Sequence, residues 1–166
     1  PETGGDSVIA IVGGEGGLVT GATGGGDVFS LGTPVFDSDR VAADLLELVE
    51  DEDVKAVVFR VDSGGGSAIA SDQVWRAVER LQEAGKKVVG SMGSVAASGG
   101  YYVLAGSDAI VANRSTITGS IGAFGGKFAL ADALREYGVN PEAIRVGGEF
   151  AAAYTLEDLT ETQRAK

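Results

Sequence analysis

Histidine and cysteine are both missing from this chain of 166 residues. Without imidazole there is no Ser-His-Asp triad, no Cys-His dyad and no common zinc site. Without thiols there is no disulfide framework and no thiolate metal ligand. Neither a metal nor an organic cofactor is expected. Lysine is scarce, limited to Lys55, Lys86, Lys87, Lys127 and Lys166. Positive charge is outweighed: 13 basic against 24 acidic residues give a net charge of −11 and a pI of about 4.3. So acidic a surface repels phosphate backbones and anionic lipid heads, which argues against nucleic acid as a partner. The balance suits high salt as well as it suits an ordinary acidic domain. No apolar run approaches the ~18 residues of a bilayer-spanning helix.

Glycine, by contrast, is abundant: 27 residues in clusters, with no collagen-like period. Hydrophobic residues make up 44% and charged residues 22%, the balance of a globular chain. The length suffices for one compact domain, so residues 1–166 read as a single unit. Ser7–Val12 reads as a buried strand, followed by a glycine-rich stretch over 13–27 that is expected to be a mobile loop. A helix from about Ser38 places Val41, Leu45, Leu48 and Val49 on one face. Lys55–Val61 is a β-branched strand, and Val74, Ala77, Val78 and Leu81 mark a second amphipathic helix closed by Gly85. Further strands are expected at Lys87–Gly90, Ala109–Ala112 and Ala143–Val146, with a helix over Phe128–Tyr137. Strands alternating with helices at this spacing predict an α/β fold of repeated βαβ units on a mainly parallel sheet. Thr160–Gln163 has the T-x-x-Q form of a capping box, opening a helix that the chain continues for roughly one turn. The expectation is a piece of a longer chain.

Two strand-to-helix turns share a design. Asp62-Ser63-Gly64-Gly65-Gly66-Ser67 follows one strand, and Ser91-Met92-Gly93-Ser94-Val95-Ala96-Ala97-Ser98-Gly99-Gly100 follows another. Such turns expose backbone N–H groups at helix starts. Two converging N–H groups would form an oxyanion hole, with a serine hydroxyl at its edge as nucleophile. Neither turn has the spacing of a nucleotide-binding loop. Taken singly, each also fits a turn with no ligand.

Together with Ser115–Phe124 (STITGSIGAF), the segments VVFRVDSGGGS and SMGSVAASGGYY resemble, in order and spacing, three signature segments of the signal peptide peptidase A family. The resemblance runs from about Ser7 to Gln163. It implies a Clp peptidase/crotonase-like fold of ββα units and a serine peptidase working through a Ser/Lys dyad. On that resemblance Ser98 is the nucleophile, Gly65 and Gly99 supply the oxyanion N–H groups, and Ser120 helps hold the base. It further implies peptide substrates such as signal-peptide remnants and a ring- or arch-like assembly of homologous domains. The implied location is at the cytoplasmic membrane, through an N-terminal anchor outside this sequence, with the peptidase domain outside the cytoplasm.

Two positions depart from the family pattern. Gly64 stands where proline is usual. The short members' lysine, in a G-x-[FY]-K context, corresponds to Ala151 in Gly148-Glu149-Phe150-Ala151. Lys127 is expected to be a surface residue, and Lys55, Lys86 and Lys87 to be solvated, so the base is missing. The chain is then the second half of a two-repeat member whose first half carries the lysine, a short member with lysine replaced by alanine, or an inactive paralogue. A non-catalytic peptide-binding or assembly domain is the alternative to a peptidase. A crotonase-like acyl-CoA enzyme shares the oxyanion turns but not the Ser-Gly-Gly helix start.

Overall fold

Along Val54–Ser63, Val57, Phe59 and Val61 are buried while Lys55 and Arg60 are exposed, the two-residue period of a strand with one face in a core. The computed structural model describes residues 7–21, 34–123, 126–144, 146–148, 153 and 155–165. The chain divides into two compact units, residues 1–122 and 123–166.

In the first unit the elements run β1 (Val8–Glu15), β2 (Gly17–Val19), β3 (Val35–Asp37), α1 (Ser38–Glu50), β4 (Val54–Ser63) and α2 (Ala68–Glu83). They continue with β5 (Lys87–Ala97), α3 (Gly99–Tyr102), β6 (Ala109–Val111) and β7 (Ile117–Gly119). The main sheet is ordered β1-β4-β5-β6, with β7 also pairing β5, and every pairing is parallel. The α/β class with a mainly parallel sheet is therefore as predicted.

Helix α1 starts where the Asp37 carboxylate accepts the N–H groups of Asp39 and Arg40, and α2 where Ser67 Oγ accepts that of Ala70. Val41 and Leu45 of α1 and Val74, Ala77, Val78 and Leu81 of α2 are buried with Val57, Phe59, Val61 and Val88 of the sheet. Phe36 and Phe59 meet edge to face, their centroids 6.4 Å apart. Gly85 has φ +81°, the left-handed conformation expected of a residue closing α2.

Two expectations about this unit need correction. The stretch from Gly13 is not all loop: Gly13 and Gly14 complete β1 and Gly17–Val19 form β2. Gly14 is glycine because a Cβ there would come 2.2 Å from the Phe36 ring, a packing demand that local composition does not reveal. Residues 22–27 lie outside the described residues. Lys86 is buried, not solvated, and its ammonium donates to the Asp51 and Val54 carbonyls. Carbonyls at the end of α1 and the start of β4 thus compensate a charge that burial would otherwise penalise.

In the second unit, α4 (Ala131–Glu136) and α5 (Glu161–Arg164) are helical. The Leu130 and Ala131 N–H groups donate to the Leu156 carbonyl, and Arg135 bridges Asp132 and Glu157. The capping box is present: Thr160 Oγ1 accepts from Gln163 N, and Gln163 Oε1 accepts from Thr160 N. Ala143, Ile144 and Val146, expected in a strand, are not in one, and Ile144 is 94% exposed, with no strand beside it among the described residues. Among the described residues, no helix is long and apolar enough to cross a membrane.

Candidate active site

Strand β5 ends at Ala97, and the chain turns through Ser98 into α3. Ser98 has φ 50° and ψ −119°, a conformation that costs a non-glycine residue of order 1–3 kcal/mol. Surrounding structure holds it there. Its N–H donates to the Gly119 carbonyl at 2.9 Å, and its own carbonyl accepts from Tyr101 and Tyr102. Its hydroxyl has no hydrogen-bond partner among the described residues. A strained serine at a strand-to-helix turn, half-buried and with its hydroxyl uncommitted, is the arrangement a nucleophile needs.

The Gly64–Gly66 turn comes against this serine from the end of β4. A Cβ on Gly65, whose φ is +102°, would lie 2.7 Å from both Ser98 Cβ and Gly99 N. A Cβ on Gly99 would lie 2.5 Å from Ser71 Oγ and 3.2 Å from Gly66 N. The close approach is possible because both residues are glycine. The structure therefore brings together Ser98, Gly65 and Gly99, three of the residues singled out from the sequence.

Hydrogen bonding at the turn was not foreseen. Buried Ser63 donates through Oγ to the Gly16 carbonyl at 2.6 Å and accepts the Gly65 N–H at 3.1 Å. The Gly65 N–H thus already has a partner, while Gly66 N–H and Gly99 N–H have none among the described residues. Ser120, at φ 48°, follows β7 directly and stands one residue beyond the carbonyl that binds Ser98 N–H. It shares with Ser98 a positive φ, found at no other described non-glycine residue.

Three more side chains shape the strand that carries Ser98. Asp62 accepts the N–H groups of Ser94 and Val95 through its two carboxylate oxygens, each at 3.0 Å. Those bonds, and the Arg60 charge, hold its carboxyl below the usual aspartate value. Thr116 Oγ1 donates to the Gly93 carbonyl at 2.9 Å and Thr118 Oγ1 to the Ala96 carbonyl at 2.7 Å, binding β7 to β5. The only sequence signal for this trio was the position of Asp62, Thr116 and Thr118 within the signature segments. Behind α3, Tyr102 stacks at a tilt on Trp75 and donates to Asp72, fixing the helix on α2.

Ala151 lies outside the described residues. Lys127 Nζ is buried without a hydrogen-bond partner among the described residues, so it is not the solvated lysine expected. Lys87 is exposed and paired with Asp108, and Lys55 donates to the Glu52 carbonyl. Among the described residues there is no acidic, histidine or cysteine cluster able to hold a metal.

A strained serine beside a glycine turn, with the Gly66 and Gly99 N–H groups unpartnered among the described residues, has the parts of a serine-hydrolase site, and known proteins show which family the chain resembles. The profile described as Peptidase family S49 matches residues 80–166. The chain is 42% identical to "Serine protease SPPA, chloroplastic" of Arabidopsis thaliana over 87% of its length, and 39% identical to "Protease 4" of Haemophilus influenzae over 82%. It belongs to peptidase family S49, with relatives named as signal peptide peptidase A. The chain spans about a fifth (21%) of the length of each of these two relatives. Among solved structures, a ClpP1 variant from Listeria monocytogenes superposes with a TM-score of 0.41 at 17% identity, covering 56% of this chain and 43% of its own.

Proposed function

We propose that Ser98 is the nucleophile of a serine endopeptidase whose general-base lysine comes from another homologous domain. The observation that carries this reading is the backbone of Ser98, held at φ 50° against the Gly64–Gly66 turn. Ser98 Oγ adds to the carbonyl carbon of a peptide bond while its proton passes to the lysine amine. The oxyanion is stabilised by the Gly99 N–H and by the turn. There, Gly66 N–H is unpartnered among the described residues, and Gly65 N–H, the expected donor, must leave Ser63 Oγ to contribute. The C–N bond breaks as the lysine returns its proton to the departing amine. Water, deprotonated by the same lysine, then adds to the ester, and Ser98 Oγ leaves with the proton.

The external lysine is supported by exclusion and by length. There is no histidine, Ala151 occupies the short members' lysine position, and the aligned part of this chain makes up only 21% of the plant and Haemophilus relatives. The proposed whole is a two-repeat peptidase in which serine and lysine meet between domains of a ring- or arch-like assembly. It acts on extended hydrophobic peptides such as signal-peptide remnants, anchored at the cytoplasmic membrane.

Turnover of casein or a hydrophobic fluorogenic peptide tests this. The 166-residue chain is expected to be inactive, and the full-length protein active and labelled by a fluorophosphonate at Ser98. Labelling of the full-length protein that survives Ser98→Ala overturns the nucleophile. Turnover by the 166-residue chain, abolished by Lys127→Ala, replaces the external lysine with Lys127. A chain that binds such peptides, within a full-length protein that never cleaves them, is the assembly domain instead.

A further inference from the structure

Strand β4 runs straight past its neighbour while β5 does not. Val61 pairs with Met92 and Ser63 with Ala96, so two steps along β4 match four along β5. The surplus lies in Gly93–Val95, a bulge five to three residues before Ser98. A bulge takes N–H groups out of the ladder, and a strand cannot leave them unpaired at little cost. Here the two are Ser94 and Val95, both satisfied by Asp62, the β4 residue opposite the bulge. Gly93 is fitted to the same carboxylate: a Cβ on it would lie 2.5 Å from Asp62 Cγ.

We propose that Asp62 is a positioning residue for the nucleophile: its two carboxylate oxygens hold the β5 bulge in the shape that delivers Ser98 to the Gly64–Gly66 turn. This inference rests on the reading of Ser98 as nucleophile. The chemistry favours an ionised carboxylate specifically. It offers an acceptor oxygen to each amide, whereas an asparagine would turn its NH2 group toward one of two N–H donors. The far side of the bulge is held by neutral groups, Thr116 on the Gly93 carbonyl and Thr118 on the Ala96 carbonyl. Asp62 is thus the titratable support of the strand. Water reaches it through a cleft of about 530 Å³, where the other charged groups are Glu15 on β1, Arg40 on α1 and Arg60 on β4. Protonation would place an O–H against an amide donor and slacken the strand that aims Ser98.

Two measurements test this independently. In the 166-residue chain, the Ser94 and Val95 amide proton resonances should titrate together with a midpoint below the ordinary 3.8 of aspartate, and not at all after Asp62→Asn. In the full-length protein, Asp62→Asn should slow fluorophosphonate labelling of Ser98 roughly 10- to 100-fold with KM for peptide little changed, since a misplacement near 1 Å costs about that much. Acid protonates the general-base lysine in both proteins, so the ratio of parent to Asn-variant labelling is the readout, and it should fall as acid is added through the Asp62 midpoint. Asp62→Glu, which keeps two acceptors, should recover part of the rate. Amide resonances that do not titrate in the parent chain overturn the positioning role, and this needs no variant to fold. So does an Asn variant labelled at the parent rate while Ser98→Ala is not labelled. Labelling that survives Ser98→Ala removes the nucleophile reading instead, and this inference with it.

Discussion

Gly65 lies so close to Ser98 that a methyl group on it would come 2.7 Å from the Ser98 Cβ. The two residues end different strands, Gly65 after β4 and Ser98 after β5, and the parallel register of those strands makes them neighbours. Gly65→Ala meets two obstacles, the contact and a φ of +102°. We expect it to destabilise the first unit by about 1–3 kcal/mol, read from urea unfolding. In the full-length protein it should lower Ser98 labelling at least tenfold. An Ala variant of unchanged stability and labelling would mean that the turn does not touch the serine.

Gly64 behaves differently, although it adjoins Gly65. Its φ is not positive, and a Cβ on it meets nothing within 4 Å. Gly64→Pro should therefore be accepted and stabilise the chain by about 0.4–1 kcal/mol through unfolded-state entropy. A large loss of stability in the same urea experiment would contradict the correspondence with the family's proline.

Ser98 stores strain that glycine would not. Ser98→Ala keeps a Cβ at φ 50°, whereas Ser98→Gly removes it. The Gly variant should be more stable than the Ala variant by about 1 kcal/mol, with both unable to form an acyl-enzyme. Equal stabilities would show that the backbone relaxes at this position.

Asp108 is one of the carboxylates that make the fold acid-sensitive. Its carboxyl accepts from Lys87 Nζ, the Val88 N–H and Gln82 Nε2, which together hold it far below the usual value of 3.8. A depressed folded value means the stabilisation is complete above the unfolded value and is lost as pH falls through the folded one. Thermal stability of the parent chain should fall as pH drops below about 4, and Asp108→Asn should flatten that dependence while lowering stability at neutral pH. An Asn variant with the parent's acid profile would sink the assignment.

What could be read in advance followed from local pattern. The apolar faces of α1 and α2 announced themselves because Val41, Leu45, Val74, Val78 and Leu81 keep helical spacing, and all are buried. Ser98 could be singled out because its turn and its signature segment agree, and it lies beside the Gly64–Gly66 turn. What escaped depends on contacts distant in sequence. Gly14 looks like loop glycine until the Phe36 ring is seen where its Cβ would be. Lys86 looks solvated until the Asp51 and Val54 carbonyls close over it. Asp62 carried no local mark of its reach to Ser94 and Val95, 32 and 33 residues away. The engagement of Gly65 N–H by Ser63 is local, yet it depends on Oγ orientation, which spacing does not encode.

The bulge in β5 also governs how this segment can change length. It holds two surplus residues, an even number, so Met92 before it and Ala96 after it both face the core. Because side chains alternate with a period of two, losing a single residue between Met92 and Ala96 would turn Ala96 toward solvent and Ser98 away from the glycine turn. Losing two would leave Ala96 opposite Ser63 but remove the bulge, and with it the Ser94 and Val95 N–H groups that Asp62 accepts. Insertions obey the same arithmetic. Length variants of a working site should therefore leave this stretch untouched and collect their differences in the loops on either side.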